Sequence, residues 1–241
     1  MKAKEPTTAA TGGAVEDRRQ RKARQTRNAL AAAALELILE HGLDAVTVSA
    51  IAERADVTRR TFSRYFVGKE DAALDFVRGD GDRINDCLRA RPAGEPPLLA
   101  YRRAVGEWLA DQENPASHLR PDMRKLLMLL DTEPALFAAY ERIRVDAQEE
   151  SIRIIAERLG SDDVRDVRPA VVVDAAAGVL TAALRLWARG TRDHDHDSAA
   201  ADLTALVEQA YDALTGEAAL AAPPQHHHHQ HNHRNKRVTA P

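Results

Sequence analysis

Apolar side chains recur along this chain every three or four residues and almost nowhere every second one, the periodicity of helices rather than strands. From about Arg24 to His41, Leu30, Ala34, Leu37 and Ile38 form an i, i+4, i+7, i+8 stripe that Gly42 closes. Thr47 is placed to cap a short helix through Ala55, and Thr58 another ending near Phe66, with Asp56-Val57 as the turn between them. A fourth helix is predicted from Lys69 towards Leu88, and Arg91–Pro97 is a Pro/Gly break. Five further helices follow the proline and glycine punctuation, at about 97–113, 121–131, 134–160, 169–190 and 198–216. The fold class is all-α: nine helices, with an N-terminal helix-turn-helix head of three and a larger helical body. The expected divisions are a disordered basic arm over 1–23, the head over 24–70, the body over 71–220 and a disordered His-rich tail over 221–241.

Composition narrows the class. Of 241 residues, 44% are hydrophobic and 29% charged, a globular rather than fibrous or disordered balance. The single Cys87 closes no intrachain disulfide, which suits a reducing cytoplasm. The start is polar, without an apolar signal core, and the longest apolar run, Ala170–Leu184, is broken by Asp174 and falls short of the ~20 residues of a membrane span. A cytoplasmic protein with no membrane partner is expected. The net charge of −3 hides an asymmetry. Residues 1–77 carry 13 basic and 11 acidic side chains (+2), whereas 78–222 carry 18 and 26 (−8). Arg18, Arg19, Arg21, Lys22, Arg24 and Arg27 form one basic run, and Arg59, Arg60, Arg64 and Lys69 another.

The informative stretch is Thr47–Lys69, TVSAIAERADVTRRTFSRYFVGK. Two short helices joined by a tight turn are the helix-turn-helix frame, whose second helix enters the DNA major groove. At about 100° per residue, Phe62 and Phe66 share one face of that helix and point inward. Arg60 and Arg64 fall on roughly the opposite face, with Arg59 at the first turn. Charge runs usually mean a solvated face, but here no acid on that helix balances the guanidiniums at i±4. Arginine is also the side chain shaped for bidentate contact with guanine O6 and N7.

These residues resemble the N-terminal domain of the TetR family of transcriptional regulators. The likeness is carried by Ala34-Leu35-Glu36-Leu37-Ile38, by Thr47-Val48-Ser49-Ala50-Ile51-Ala52 through Ala55-Asp56-Val57-Thr58, and by Thr61-Phe62-Ser63-Arg64-Tyr65-Phe66 through Lys69-Glu70. Two positions depart from the family pattern: Asp56 stands where Gly is usual, and Gly68 where a Ser cap is common. The resemblance implies base or groove contacts for Thr58, Arg59, Arg60, Thr61, Ser63 and Arg64. It implies phosphate contacts for Thr47, Tyr65 and Lys69. It further implies a homodimer on a pseudo-palindromic double-stranded operator. The Arg59–Phe66 variant, with Glu133-Pro134-Ala135-Leu136 and the Ala-rich 175–187 helix, is similar to the subgroup of mycofactocin-system regulators, for which an acyl-CoA-like effector is the implied ligand.

For the dimer surface the expected residues are Ala175, Gly178, Ala182 and Ala183 with Leu203, Leu206, Val207, Ala210 and Leu214. The apolar candidates for a small-molecule effector pocket are Tyr101, Trp108, Leu126, Leu127, Leu130, Phe137, Tyr140, Leu180, Leu184 and Trp187, with Arg120, Arg124 and Arg185 able to meet an anion. None is assigned to ligand binding, because core apolar residues look the same. The function expected is a repressor released by an apolar or acyl-CoA-like ligand, without enzyme activity, cofactor or metal. Two alternatives remain. One is a non-specific DNA-binding protein using the Arg18–Arg27 run. The other is a helical metal-dependent enzyme using His194-Asp195-His196-Asp197, although Asp197-Ser198 reads more simply as a helix cap. The interrupted histidines His226–His229, His231 and His233 are assigned no function.

Overall fold

Ten α-helices and one 3-10 turn make up the described residues, 11–161, 165–190 and 196–221 of a computed structural model, and no strand occurs among them. Helix α1 spans Thr11–His41 and ends where Gly42 takes a left-handed φ of 80°. Its Leu30, Ala34 and Ile38 are buried, as the stripe requires. The helix starts well before Arg24, so the arm expected over 1–23 is helical from residue 11. Periodicity misses this part because Arg18, Arg19 and Gln20 face solvent, and the residues after Gly13 are mostly good helix formers without an apolar face.

Helices α2 (Val48–Arg54) and α3 (Arg59–Phe62) follow, then α4 (Lys69–Ala73) and α5 (Asp75–Ala90). The single helix expected from Lys69 to Leu88 is therefore two, which makes ten helices rather than nine. The break lies at fully buried Leu74, whose backbone leaves helical geometry at φ −97°, ψ 9°. Asp75 then opens a new first turn, where a carboxylate complements the helix dipole. The kink lets α4 pack on α1 while α5 lies against α6 (Pro97–Ala110) and α8 (Pro134–Leu159). The expected head–body boundary at 70/71 falls inside α4, and the buried apolar core runs on continuously from α1 into the body.

The 3-10 turn Ser117–Leu119 and α7 (Pro121–Leu129) bring the chain back towards α1. Helix α9 (Val167–Arg189) is capped by Asp166, whose carboxylate accepts from the Arg168 N–H. By length and composition α9 would suffice to cross a membrane, but it packs against α6, α7, α8 and α10 and buries Val173, Ala176, Leu184 and Trp187. Helix α10 (His196–Ala221) begins before Ser198, so Asp197-Ser198 lies within the helix instead of capping it. His194, Asp195 and the histidine-rich tail lie outside the described residues, among which no cluster of three His, Cys, Asp or Glu side chains could hold a metal ion.

Candidate nucleic-acid interface

Local capping builds the helix-turn-helix. The Thr47 hydroxyl accepts from the Ala50 N–H at 3.1 Å, and Thr58 does the same for Thr61 at 3.1 Å, each satisfying an orphan donor of a first turn. Between the helices, Asp56 holds φ 52°, the left-handed geometry anticipated where Gly is usual. Helix α3 keeps regular geometry only over Arg59–Phe62. Beyond it the N–H groups of Arg64 and Tyr65 bond three residues back, at 3.2 and 2.9 Å, so the predicted helix to Phe66 finishes as a tightened turn.

The faces of α3 divide as the spacing predicts. Phe62 and Phe66 are buried with ring centroids 5.7 Å apart. Arg59, Arg60, Ser63 and Arg64 are exposed, and among the described residues none of the three guanidiniums pairs with a carboxylate. Arg64 lies over the half-buried Tyr65 ring at 5.6 Å, which steadies its stem without neutralising it. Thr61 is half-buried and shares a hydroxyl hydrogen bond with Thr58 at 3.0 Å, while the Ser63 hydroxyl donates to the Arg59 carbonyl at 3.2 Å. The Ser63 hydroxyl is thus committed as a donor and reaches outward only as an acceptor or by re-orienting, while the Thr58 hydroxyl is engaged by both the backbone and the side chain of Thr61.

Lys69 differs from the simple phosphate contact expected of it. Its ammonium donates to the carbonyls of Leu43 at 2.6 Å and Val46 at 3.1 Å, tying α4 to the loop that leads into Thr47. One of its three donors remains for a phosphate. Lys69→Ala is therefore expected to weaken binding to all duplexes alike and to lower the salt slope by about one contact. Loosening of the loop should also lower the melting temperature, and a salt titration beside a thermal scan checks both effects.

A residue that sequence reading placed in the basic run organises the back of this unit. Arg27 forms a two-pronged ion pair with Asp75, at 2.5–3.1 Å, and lies 5.0 Å from the Phe66 ring centroid. Arg78 adds contacts to Asp75 at 3.2 Å and Asp71 at 3.1 Å. The clasp joins α1, the ring behind α3, and the start of α5. Forty-eight residues separate Arg27 from Asp75, so no local pattern announces it.

Further along α5, a cavity of about 70 Å³ opens among α5, α6, α8 and α9. Val77, Asp80, Gly81 and Ile84 of α5 line it, with Tyr101, His118, Tyr140, Arg144, Leu180 and Leu184. Four of the apolar candidates, Tyr101, Tyr140, Leu180 and Leu184, are thus brought together. Trp108 and Leu126 are core side chains, and Phe137 is exposed. Leu127 and Leu130 line a second hollow with Tyr140 and Arg185. Burial pushes the Tyr140 hydroxyl up to about 12, so it stays protonated. At the wall the buried Asp80 carboxylate accepts from His118 Nδ1 at 2.7 Å, from the backbone N–H groups of Ser117 and His118 at 3.2 and 3.3 Å, and from the Trp108 indole at 3.4 Å. Burial alone would raise this carboxyl, but His118 and the other donors outweigh it and hold Asp80 below the usual carboxylate range.

A capped helix pair that offers an unneutralised arginine face from a helical scaffold defines a helix-turn-helix DNA-binding regulator. Comparison with known proteins agrees: bacterial regulatory proteins of the tetR family match residues 30–73. The transcriptional regulator TcmR of Streptomyces glaucescens is 37% identical over 176 residues, covering 70% of this chain and 76% of its own. The chain belongs to the TetR family of transcriptional regulators. A candidate mycofactocin biosynthesis regulator, MftR of Mycobacterium tuberculosis, is 27% identical over 163 residues, 65% of this chain and 76% of its own, a weaker likeness consistent with the subgroup resemblance. Among solved structures, Thermus thermophilus FadR in complex with lauroyl-CoA aligns with TM-score 0.48 and 20% identity over 83% of this chain and 98% of that one.

Proposed function

We propose that two copies of this chain bind a pseudo-palindromic operator through α3, and that an apolar ligand entering the α5–α9 cavity releases it. The carrying observation is the exposed, carboxylate-free trio Arg59, Arg60 and Arg64 backed by buried Phe62 and Phe66. As assigned above, Thr58, Thr61 and Ser63 join them at the groove, and Thr47, Tyr65 and Lys69 meet phosphates. This reading treats the chain as a cytoplasmic regulator and not an enzyme.

The dimer face supported by the structure differs from the expected one. Leu203, Val207 and Ala183 are buried within the chain, and Leu206, Ala210 and Leu214 partly so. The apolar positions that remain open on α9 are Val171, Gly178, Ala182 and Leu186, with Ala175 half-exposed among them and the exposed Asp174 and Arg185 along one edge. Their spacing of three or four residues makes one apolar stripe, edged by Asp174 and Arg185. Pairing of this face between two copies gives a two-fold assembly, whose recognition helices meet major grooves about 34–36 Å or a multiple of one turn apart.

Release is supported by the course of α5. One helix carries the Asp75 half of the Arg27 clasp and, within three turns, the cavity residues Val77, Asp80, Gly81 and Ile84. A ligand that shifts α5 thereby moves α1 and the ring behind α3, and weakens operator binding by its differential affinity for the two arrangements. Of the two effector classes expected, an apolar ligand with a small polar group suits the cavity better than an acyl-CoA. Arg144, the one arginine in its lining, already pairs with Glu141 at 2.6 Å and Gln148 at 3.0 Å, so a polyphosphate headgroup finds little free charge.

Genome-wide footprinting of the purified protein tests the reading. Protection of paired half-sites is expected, with specific binding about 10³-fold or more above bulk DNA at fixed salt. Uniform coating without footprints would establish the non-specific alternative instead. Tighter operator binding with every active ligand would reverse the sign to co-repression.

A further inference from the structure

A larger cleft lies where the DNA-reading unit meets the body. Helix α1 packs on α4 and α7, while α5 is tied to it through the Arg27–Asp75 clasp and then runs off against α6 and α8. The space left between α1, α5 and α7 measures about 450 Å³, several times the α5–α9 cavity and within the range of small-molecule sites. Of the residues lining the two hollows, Asp80 alone borders both. The cleft walls are apolar where α1 faces its neighbours, with Ala31, Ala32 and Leu35 on one side and Phe76 and Met123 on the other. Small residues make the room: a Cβ added to Gly79 of α5, also in the lining, would meet no atom within 4 Å.

The charges around the cleft are unequally free. The Asp75 and Asp80 side chains are 11% and 2% exposed, and each carboxylate is held, the first by Arg27 and Arg78, the second by His118 and three N–H donors. Arg83 spends its guanidinium on Asp111 and on the carbonyls of Asn114 and Pro115. Arg120 differs. Its side chain is 52% exposed and donates no hydrogen bond among the described residues. The nearest carboxylate, Asp122, stands 3.8 Å away and accepts instead from the Met123 N–H at 3.1 Å. The charge this apolar cleft offers a visitor is therefore one guanidinium, whose planar fork suits a carboxylate.

We propose that the cleft is a ligand site for a compact apolar molecule bearing one carboxylate, the acid on Arg120 and the apolar part against Leu35, Phe76 and Met123. The site is separate from the α5–α9 cavity and stands whether or not that cavity takes a ligand. Its walls belong to α1 and to body helices alike, so occupancy is linked to how the DNA-reading unit sits on the body.

Adamantane-1-carboxylate and 1-adamantanemethanol, alike in shape and different in charge, serve as probes for the full-length protein. Methyl carbon-13 signals report the place of binding, Met123 and Leu35 for the cleft, Leu180 and Leu184 for the cavity. The carboxylate is expected to shift Met123 and Leu35 and to bind at least about fivefold more tightly than the alcohol at low salt, a margin that narrows as salt is raised. Arg120→Gln should remove that margin without loss of stability, because the side chain donates no hydrogen bond to the fold. Gly79→Leu, which fills open space and replaces a helical glycine, should abolish binding of both probes while leaving the melting temperature no lower. Equal affinity for the two probes, or an Arg120→Gln chain that keeps the preference, would overturn the proposal. Shifts confined to Leu180 and Leu184 would overturn it too, while supporting the cavity as a ligand site. Methyl signals silent to both probes would overturn the cleft as a site for this class of ligand.

Discussion

Arg60→Ala and Arg64→Ala are each expected to lower operator affinity by about 30-fold to about 10⁴-fold, with the loss concentrated at particular base pairs. A good bidentate arginine–guanine contact contributes about 1–3 kcal/mol of discrimination, and a two-fold assembly makes each contact twice. Folding should scarcely change, because both side chains are exposed and neither holds a carboxylate. Arg64→Ala also removes the contact with the Tyr65 ring, worth about 0.5–1 kcal/mol at an exposed site. Arg64→Lys separates charge from shape: it keeps the phosphate attraction but loses the planar fork, so specificity should fall more than non-specific affinity. Binding titrations against the operator and single-base variants at one salt concentration check each outcome.

The second large effect lies in the body. Asp80→Ala is expected to cost about 3–5 kcal/mol of stability, the range for breaking a buried charged pair from one side. His118 Nδ1, two backbone N–H groups and the Trp108 indole would all lose their acceptor. Asp80→Asn keeps an accepting oxygen and should lose less. The pH dependence has a definite sign. With its folded-state pKa lowered, the Asp80 contribution is complete above the ordinary carboxylate range near pH 4 and disappears as pH falls through the folded value. Urea unfolding across that interval should show the wild-type chain losing more stability than Asp80→Asn, the two curves converging at the acid end.

What was legible in the sequence was periodic or locally capped. The stripe of α1, the Thr47 and Thr58 caps, the turn at Asp56 and the two phenylalanines behind α3 depend on neighbours within about four residues, and the structure shows each of them. Features resting on distant partners were not legible. The break at Leu74 follows from packing α4 on α1 and α5 on the body, and the Arg27 clasp needs Asp75 forty-eight residues away. Lys69 was read from its charge alone, whereas the fold brings the Leu43 and Val46 carbonyls to its ammonium. The cavity was half visible. Its aromatic and leucine walls were among the candidates, but neither Asp80 nor His118 carried a signal, since an isolated acid and an isolated histidine look like surface until burial joins them.

The account turns on guanidinium groups of α3 and of the turn that completes it touching guanine edges in the major groove. A double-mutant cycle tests it: wild-type and Arg60→Ala or Arg64→Ala chains against the operator and against one in which a footprinted guanine is replaced by 7-deazaguanine, which lacks the N7 acceptor. The account predicts that removing N7 weakens the wild-type chain by at least about 1 kcal/mol but leaves one arginine variant unaffected, the signature of coupled groups. Strictly additive losses for both arginines at every footprinted guanine would contradict it.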